Sequence, residues 1–437
     1  MRALKLMCLA VLVGFVSNSL AQSPTTTPST TAPVKLTVTE AEAMALKNNP
    51  QISVARLNAL AYQQVTRETR SALLPKASVN LTGVDAQEGA RLGAGALNSP
   101  VLYDRAAAGT TVSQLITDFG RSTNLLSSSR LRALAEEENA KATAQQISLA
   151  ADQDFYNALR AAALLKVADQ TVAERQLVVD RIQALTNAKL KSDLDLSFAN
   201  IDLSQAKLLQ LEAQNNVSAS MAALSAVLGY PTLQNLQLVE ETSEIPAPPP
   251  DVNALIQQAF DNRPDLQGLQ YQYESAKKFR RAEKDLSHPT ISALGAVGSV
   301  PFDNGHLESW YGAVGVNINV PVFNGFLFNA RAHEADLRAQ AMNQRRRDLA
   351  NRISRDVRTA WLDCIRTYER LDVTRQLLMQ ASSAQDLAET RYKLGLATIV
   401  EYSQAELQRT QAEIGNTSAQ YEYRAAEARL KYEEGLK

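Results

Sequence analysis

Histidine and cysteine are scarce in this chain of 437 residues, with three of the first and two of the second. So few exclude a disulfide scaffold and leave no His/Cys cluster to hold zinc. Glycine (18) and proline (15) are also few, which leans the chain towards helix. An excess of charge is missing as well: 45 Lys and Arg face 46 Asp and Glu, a net charge of -1. Nothing is left over to displace phosphate counterions, so nucleic acid is not the expected partner. There is no G-x-S-x-G, no phosphate-binding loop and no Cys-x-x-Cys, and His333-Glu334 lacks the second histidine of a zinc protease helix. Enzymatic chemistry and a cofactor have no residues to rest on. The arginines at 345, 346, 347, 352, 355 and 358 read as a solvated helical face. A hydrophobic content of 45% still suffices for a folded core.

The one long apolar run is Leu6 to Val16, preceded by Arg2 and Lys5 and followed by Ser19-Leu20-Ala21. Basic start, short apolar stretch and small-x-small end make residues 1–21 a signal peptide cleaved near Ala21. Eleven residues are too few to span a bilayer, which takes roughly 20. Residues 22–35, rich in Thr, Pro and Ser, read as a disordered lead-in. Cys8 leaves with the signal, and Cys364 then reads as a small buried apolar residue. No later run is long enough for a transmembrane helix, so the exported protein either stays outside the cytoplasm in solution or enters an outer membrane as strands.

The chain is written twice. Ala45-Leu-Lys-Asn48-Asn-Pro50 returns as Ala259-Phe-Asp-Asn262-Arg-Pro264, and Pro75 returns as Pro289. Gly120 corresponds to Gly325, Ser192 and Asp195 to Thr398 and Glu401, and Gly229 to Gly435. The offset falls from 214 to 205 between the second proline and the glycine, so only that segment differs in length, by nine residues. Residues 36–230 form the first repeat, 231–251 a Pro-rich linker and 252–437 the second repeat.

Each repeat reads helix, β-hairpin, long helix, shorter return helix. The first helix is expected to open with a capping box at Thr39 and Glu42 and to run to about Leu74. The hairpins are expected at about 76–117 and 289–323, the long helices at 120–191 and 326–394, and the return helices at 193–229 and 398–435. Apolar residues at 147, 151, 155, 158, 162 and 165 step by three and four, and 353, 357, 361, 364, 368 and 371 repeat the pattern. A helix of about 70 residues is about 105 Å long. Two helices of half that length, end to end, would cover its stripe. The expected body is a rod of paired helices.

Between Pro75 and Gly120, and between Pro289 and Gly325, the period changes to two. Val314, Val316, Ile318 and Val320 alternate with Gly315, Asn317 and Asn319; Ala77, Val79 and Leu81 alternate with Ser78, Asn80 and Thr82. Strands of 9–11 residues, apolar on one side, are the pattern of outer-membrane barrels. Phe302, Trp310, Tyr311 and Phe323 lie near strand ends, where interfacial aromatics belong. Four strands are too few to close a barrel, so membrane insertion requires several chains to share one. Two soluble hairpins on a coiled-coil rod are the alternative.

This doubled pattern resembles the outer membrane efflux protein family over about residues 36–437. The resemblance is carried by the repeated Ala-x-x-Asn-x-Pro, the proline before each hairpin, Asp118-Phe119-Gly120 and Phe323-Asn324-Gly325, and the run from Arg391 to Glu401. It implies a mainly α protein with membrane β: a homotrimer whose 12-stranded barrel in outer-membrane lipid continues as a periplasmic α-helical coiled-coil barrel. It also implies a passive channel for efflux or type I secretion, docked to a periplasmic adaptor and an inner-membrane pump of RND, ABC or MFS type. The rival is a soluble periplasmic coiled-coil adaptor or scaffold.

Both return helices begin with a hydroxyl followed three residues on by a carboxylate, which reads as a capping box. The resemblance adds a second role, since acidic residues just past the second tip narrow the family's periplasmic mouth. It implies aperture positions at Asp193, Asp195, Tyr392, Glu401 and Gln404, and adaptor-docking positions at Lys189, Leu190, Ser192, Gly395, Leu396 and Thr398. Gln404 and Ala397 depart from the family, where an acid and a base are expected.

Overall fold

The computed structural model describes residues 34–85, 91–94, 97–101, 105–234, 236–240, 245–303 and 308–437. The signal peptide and nearly all of the 22–35 lead-in lie outside them.

The first described element, β1 (Val34–Leu36), pairs in parallel with β6 (Leu236–Leu238), so a strand of the linker clamps the chain just before the first helix. This corrects two expectations. The lead-in ends in a strand, and the 231–251 linker contributes one. With Leu36 held there, the helix begins at Thr37 rather than Thr39: α1 (Val38–Asn48) is capped by the Thr37 hydroxyl, and Glu40 returns the bond.

The first helix is also not continuous. Pro50 lacks an N–H to continue α1, so the chain breaks at Asn49, which is extended and caps α2 (Pro50–Ser71) through Gln51 N at 2.9 Å. The same break separates α5 (Val252–Asn262) from α6 (Pro264–Lys284) at Arg263.

These breaks explain the repeated glycines. The Asn49 amide donates to Val227 O at 2.9 Å, at the end of α4 (Asp193–Val227). Gly229, at φ +84°, lies against Asn48, and a Cβ there would sit 2.7 Å from the Asn48 carbonyl oxygen. Gly435, at φ +75°, approaches Arg263 N in the same way, its added Cβ 3.0 Å away. Gly229→Ala is expected to cost about 2–3 kcal/mol, combining the left-handed penalty with the clash. Gly325→Ala, at φ +61° but with nothing within 4 Å, should cost only about 1 kcal/mol. Thermal unfolding of the two variants in detergent checks this, and equal losses would rule out the close-approach explanation.

The long helices α3 (Arg121–Asn187) and α7 (Leu327–Lys393) have 67 residues each, and α4 and α8 (Ile399–Glu433) have 35 each. At 1.5 Å per residue the long helices are about 100 Å. Neither contains glycine or proline, whereas α8 carries Gly415 at its middle, with open space around it. Ile147, Ala151, Phe155 and Ala158 of α3 pack with Leu36, Ala45, Ile52, Leu224 and Leu228. Ile353, Val357, Ala360 and Cys364 of α7 pack with Leu255, Ala259, Tyr423 and Leu430. The stripe then rotates off its expected positions: Ala162 and Tyr368 are exposed, while Ala161 and Thr367 are buried. A straight helix at 3.6 residues per turn drifts from a 3.5 repeat in this way.

Above this level α2, α3, α6 and α7 lie side by side in that order. They lead to a four-stranded antiparallel sheet, β2 (Lys76–Val84), β5 (Arg105–Thr117), β7 (Thr290–Asp303) and β8 (Trp310–Asn319), ordered β2-β5-β7-β8. The central β5–β7 pairing joins the two repeats. The first repeat's extra length holds a further hairpin, β3 (Arg91–Ala94) with β4 (Leu97–Val101).

Candidate functional site

Two ends of the rod carry the features from which function can be argued. At the upper end, register fixes the faces of the sheet. Val79 lies opposite Thr110, Leu81 opposite Ala108, Val297 opposite Gly312, Ala293 opposite Val316, and Ile291 opposite Ile318. These apolar residues share one face with Val112 and Val314. Ser78, Asn80, Thr111, Ser113, Ser292, Asn317 and Asn319 share the other, where Ser78 and Thr111 hydroxyls lie 2.8 Å apart. The apolar face is uncovered: Val314 is 94% exposed and Leu81 81%. A sheet in water buries such a face against another layer. No helix among the described residues is long and apolar enough to cross a membrane.

Aromatic side chains flank this face. Trp310 lies at its far end, while Tyr311 belongs to the opposite, polar face, where its ring fills the space over Gly109 and Gly298. Phe119, Phe323 and Phe326 are exposed at the helical end. The side chain of Phe302, also expected there, is outside the described residues.

At the lower end each hairpin turns through one motif. α3 closes with Leu190 N donating to Leu185 O (2.8 Å) and Lys189 N to Thr186 O (2.9 Å). α7 closes with Leu396 N to Arg391 O (2.8 Å) and Gly395 N to Tyr392 O (3.1 Å). Lys189 at φ +58° and Gly395 at φ +75° take the left-handed position that this closure requires. The helices therefore stop four and one residues short of 191 and 394. In this motif the next side chain usually packs back on the helix. Here Leu190 and Leu396 point away instead, 71% and 67% exposed.

Ser192 then caps α4: its hydroxyl accepts from Asp195 N (3.1 Å), and the Asp195 carboxylate accepts from Ser192 N (3.3 Å). Thr398 caps α8 by accepting from Glu401 N (3.2 Å). Asp195 and Glu401 are thus first-turn carboxylates facing a helix N-terminus, where negative charge suits the helix dipole. Asp193, Glu401 and Gln404 are exposed and Asp195 is half-buried.

Tyr392 has a different setting from the other candidates. It is buried among Val179, Ile182, Ala199, Leu203, Ile399 and Tyr402, where the two hairpins meet. Its ring stacks on Tyr402 at 5.6 Å, and Lys191 Nζ sits 3.9 Å from its centroid on the other hairpin. Burial first, then the nearby Asp195 charge, pushes its phenol up to about 12, so it stays neutral. Deeper in, Arg175 of α3 pairs with Glu406 of α8, both buried. Ser403 donates to Asp202 (2.5 Å) and Arg409 to Glu174 (3.1 Å) beside them.

The structure therefore brings Tyr392 and Asp195 together across the two hairpins, and leaves Asp193, Glu401 and Gln404 at the surface. Lys191, Arg175, Glu406 and Tyr402 were not foreseen; the Lys191–Tyr392 and Arg175–Glu406 pairs join residues some 200 apart in the chain, of which the local sequence carries no signal, while Tyr402 stacks on Tyr392 from just across the turn. Among the described residues no group of three or more His, Cys, Asp and Glu is placed to hold a metal.

A family model described as "Outer membrane efflux protein" matches residues 43–230 and 255–432. The chain is 26% identical over 366 residues to "Probable efflux pump outer membrane protein TtgC" of Pseudomonas putida, covering 80% of this chain and 73% of that one. It is 21% identical over 405 residues to "Outer membrane protein TolC" of Escherichia coli, covering 86% and 77%. Among solved structures, CusC superposes with a TM-score of 0.79 at 19% identity, covering 91% of this chain and 92% of that one. VceC of Vibrio cholerae superposes with a TM-score of 0.76 at 17% identity, covering 92% and 97%. Both repeats fall within one family model, and the fold is shared along almost the whole chain: it belongs to the outer membrane efflux protein family.

Proposed function

We propose that this chain is the outer-membrane channel of a tripartite efflux pump or type I secretion system, passive in itself and driven by an inner-membrane partner. The observation that carries the reading is the four-stranded sheet with an uncovered apolar face and two unpaired edges, β2 and β8. An open edge in lipid leaves backbone groups unpaired at several kcal/mol each. Three copies joined β8 to β2 supply twelve strands and remove every edge. A ten-residue strand such as β8, tilted about 40°, rises about 25 Å, the height of the apolar band of such barrels. Exposed Leu57, Leu60 and Val65 on α2 and Leu337 on α7 lie at one level on the helices at the two flanks of the wall and suit contacts between copies.

On this reading the protein is exported by a signal peptide cleaved near Ala21, and its helical part lies in the periplasm. Leu190 and Leu396, held out by their turns, are the apolar points on which a periplasmic adaptor docks, with Lys189, Ser192, Gly395 and Thr398 around them. An RND, ABC or MFS pump supplies the energy. A soluble adaptor or scaffold gives no account of Val314 at 94% exposure. Cell fractionation tests the choice: an SDS-resistant trimer, extracted from the outer membrane only by detergent, is expected. A monomer stable in buffer without detergent would sink the reading.

Asp195 and Glu401 place six carboxylates per trimer near the mouth and favour cations. Asp195→Asn with Glu401→Gln should reduce the cation preference in planar bilayers severalfold while the trimer persists. Unchanged reversal potentials would leave both residues as caps alone.

A further inference from the structure

The helices nearest the sheet carry four exposed basic residues on one side that make no ion pair among the described residues, whereas Arg132 on the other side lies over the Phe279 ring at 6.0 Å. α6 sits between α3 and α7, and its neighbours are not opposite each other: Ser275 meets Ser128 of α3, while Arg280 meets Asp336 of α7 at 2.5 Å. Those positions are about 140° apart on the helix, so the wall is curved. Its concave side holds a cleft of about 410 Å³ that includes Tyr62, Arg132, Phe279 and Arg338. In the barrel that side faces the duct. Arg281 lies about 200° around α6 from Phe279 and Lys284 about 140°; Arg130 lies about 200° around α3 from Arg132, and Arg67 about 140° around α2 from Tyr62. All four are exposed on the convex side and make no ion pair within 4.0 Å among the described residues.

They also share a level. Lys284 ends α6 six residues before β7, and Arg281 is one turn below it. Arg67 precedes β2 by nine residues, and Arg130 follows Gly120 by ten. All fall within about 15 Å of the sheet, and their long side chains shorten that gap. The acids nearby are few and mostly taken: Glu274 by Lys277 at 3.0 Å, Asp336 by Arg280 at 2.5 Å with Lys284 beside it, Asp285 accepts from Asn124 at 2.9 Å, Glu137 accepts from Gln63 at 2.8 Å, and Glu68 makes no ion pair among the described residues. At the opposite end of the rod, by contrast, acids are in excess: residues 180–202 and 386–406 hold five Lys and Arg against eight Asp and Glu. Helix C-termini attract cations through their dipole, but that effect ends within the last turn and does not reach Arg67 or Arg130.

We propose that Arg67, Arg130, Arg281 and Lys284 form a basic collar that binds anionic phospholipid headgroups of the leaflet facing the helical rod. The inference rests on the channel reading above, which puts lipid around the sheet. The exposed Phe119, Phe323 and Phe326 just above the collar mark the depth at which that leaflet's surface lies. One basic residue at an anionic surface is worth about fivefold in binding.

The test uses the full-length protein, purified in detergent and offered a mixture of phosphatidylglycerol and phosphatidylcholine, with retained lipid counted by native mass spectrometry. Wild type should retain phosphatidylglycerol about tenfold over phosphatidylcholine, with the preference falling as salt rises. Arg281→Gln/Lys284→Gln should lose most of that preference and Arg281→Lys should keep it. The fourfold variant Arg67→Gln/Arg130→Gln/Arg281→Gln/Lys284→Gln should lose it entirely while remaining an SDS-resistant trimer. Equal retention of both lipids by wild type, or an unchanged preference in the double variant, overturns the collar and leaves the channel intact. Displacement of the retained phosphatidylglycerol by millimolar glycerol phosphate would also overturn it, by making this a free-anion site. A protein that stays in solution without detergent and enters no vesicle of either lipid overturns the channel itself.

Discussion

Val316→Arg is expected to abolish the SDS-resistant trimer and leave the protein unrecovered from the outer membrane. Val316 sits in the middle of β8, opposite Ala293, on the uncovered apolar face, and is 63% exposed in the single chain. A lysine or arginine on the lipid side of a barrel costs about 2–4 kcal/mol at the bilayer midplane. In the proposed trimer three copies would bear that cost together. Asn317→Arg, one residue along, falls on the polar face beside Ser292. That variant should assemble normally and change only the conductance or ion selectivity of the pore. The pair is informative because both variants add the same side chain to the same strand. If Val316→Arg assembles as well as Asn317→Arg, the apolar face does not meet lipid.

The second large effect is expected at Arg175. Its guanidinium pairs with Glu406 between α3 and α8, with both side chains buried. Burial lowers the arginine pKa, which shows the cost of holding that charge out of water, although it remains protonated. Arg175→Ala leaves the Glu406 carboxylate buried without its partner, a loss of about 3–5 kcal/mol. The loss should be local, so amide exchange should accelerate in α8 between residues 399 and 413 and in the facing turns of α3. Arg175→Met with Glu406→Leu removes both charges and keeps the volume, and it should restore protection to near the starting level. A double variant as labile as the single would mean that the pair itself, rather than the orphaned charge, holds the hairpins together.

Much of the architecture was legible because it follows local rules that occur twice. The left-handed turn at Lys189 and at Gly395, the hydroxyl caps at Ser192 and Thr398, and the two-residue alternation of β8 each depend on a handful of consecutive residues. The start of α1 was misplaced for an equally local reason. Thr37 and Thr39 each have a glutamate three residues on, so the sequence offers two capping boxes. The choice is made by Leu36, which is held in β1 by Leu238, some two hundred residues away. The break at Asn49 was available from Pro50 alone, which cannot donate to the preceding turn. The contacts of Lys191 with Tyr392 and of Arg175 with Glu406 had no local signature, because the residues that make them ordinary or special belong to the other repeat. The aperture and docking roles at the tips were placed by resemblance, whereas the caps at Ser192 and Thr398 followed from the repeated hydroxyl-x-x-carboxylate spacing, and the structure forms both.

The two halves of the chain are not mechanically equivalent. α3, α4 and α7 are unbroken by glycine, while α8 has Gly415 halfway along, with empty space beside it and a backbone about 1 kcal/mol easier to distort than at alanine. The second hairpin is therefore the compliant one and the first the stiff strut. Bending of the lower end is expected to draw on the middle of α8, well above the residues proposed to surround the mouth.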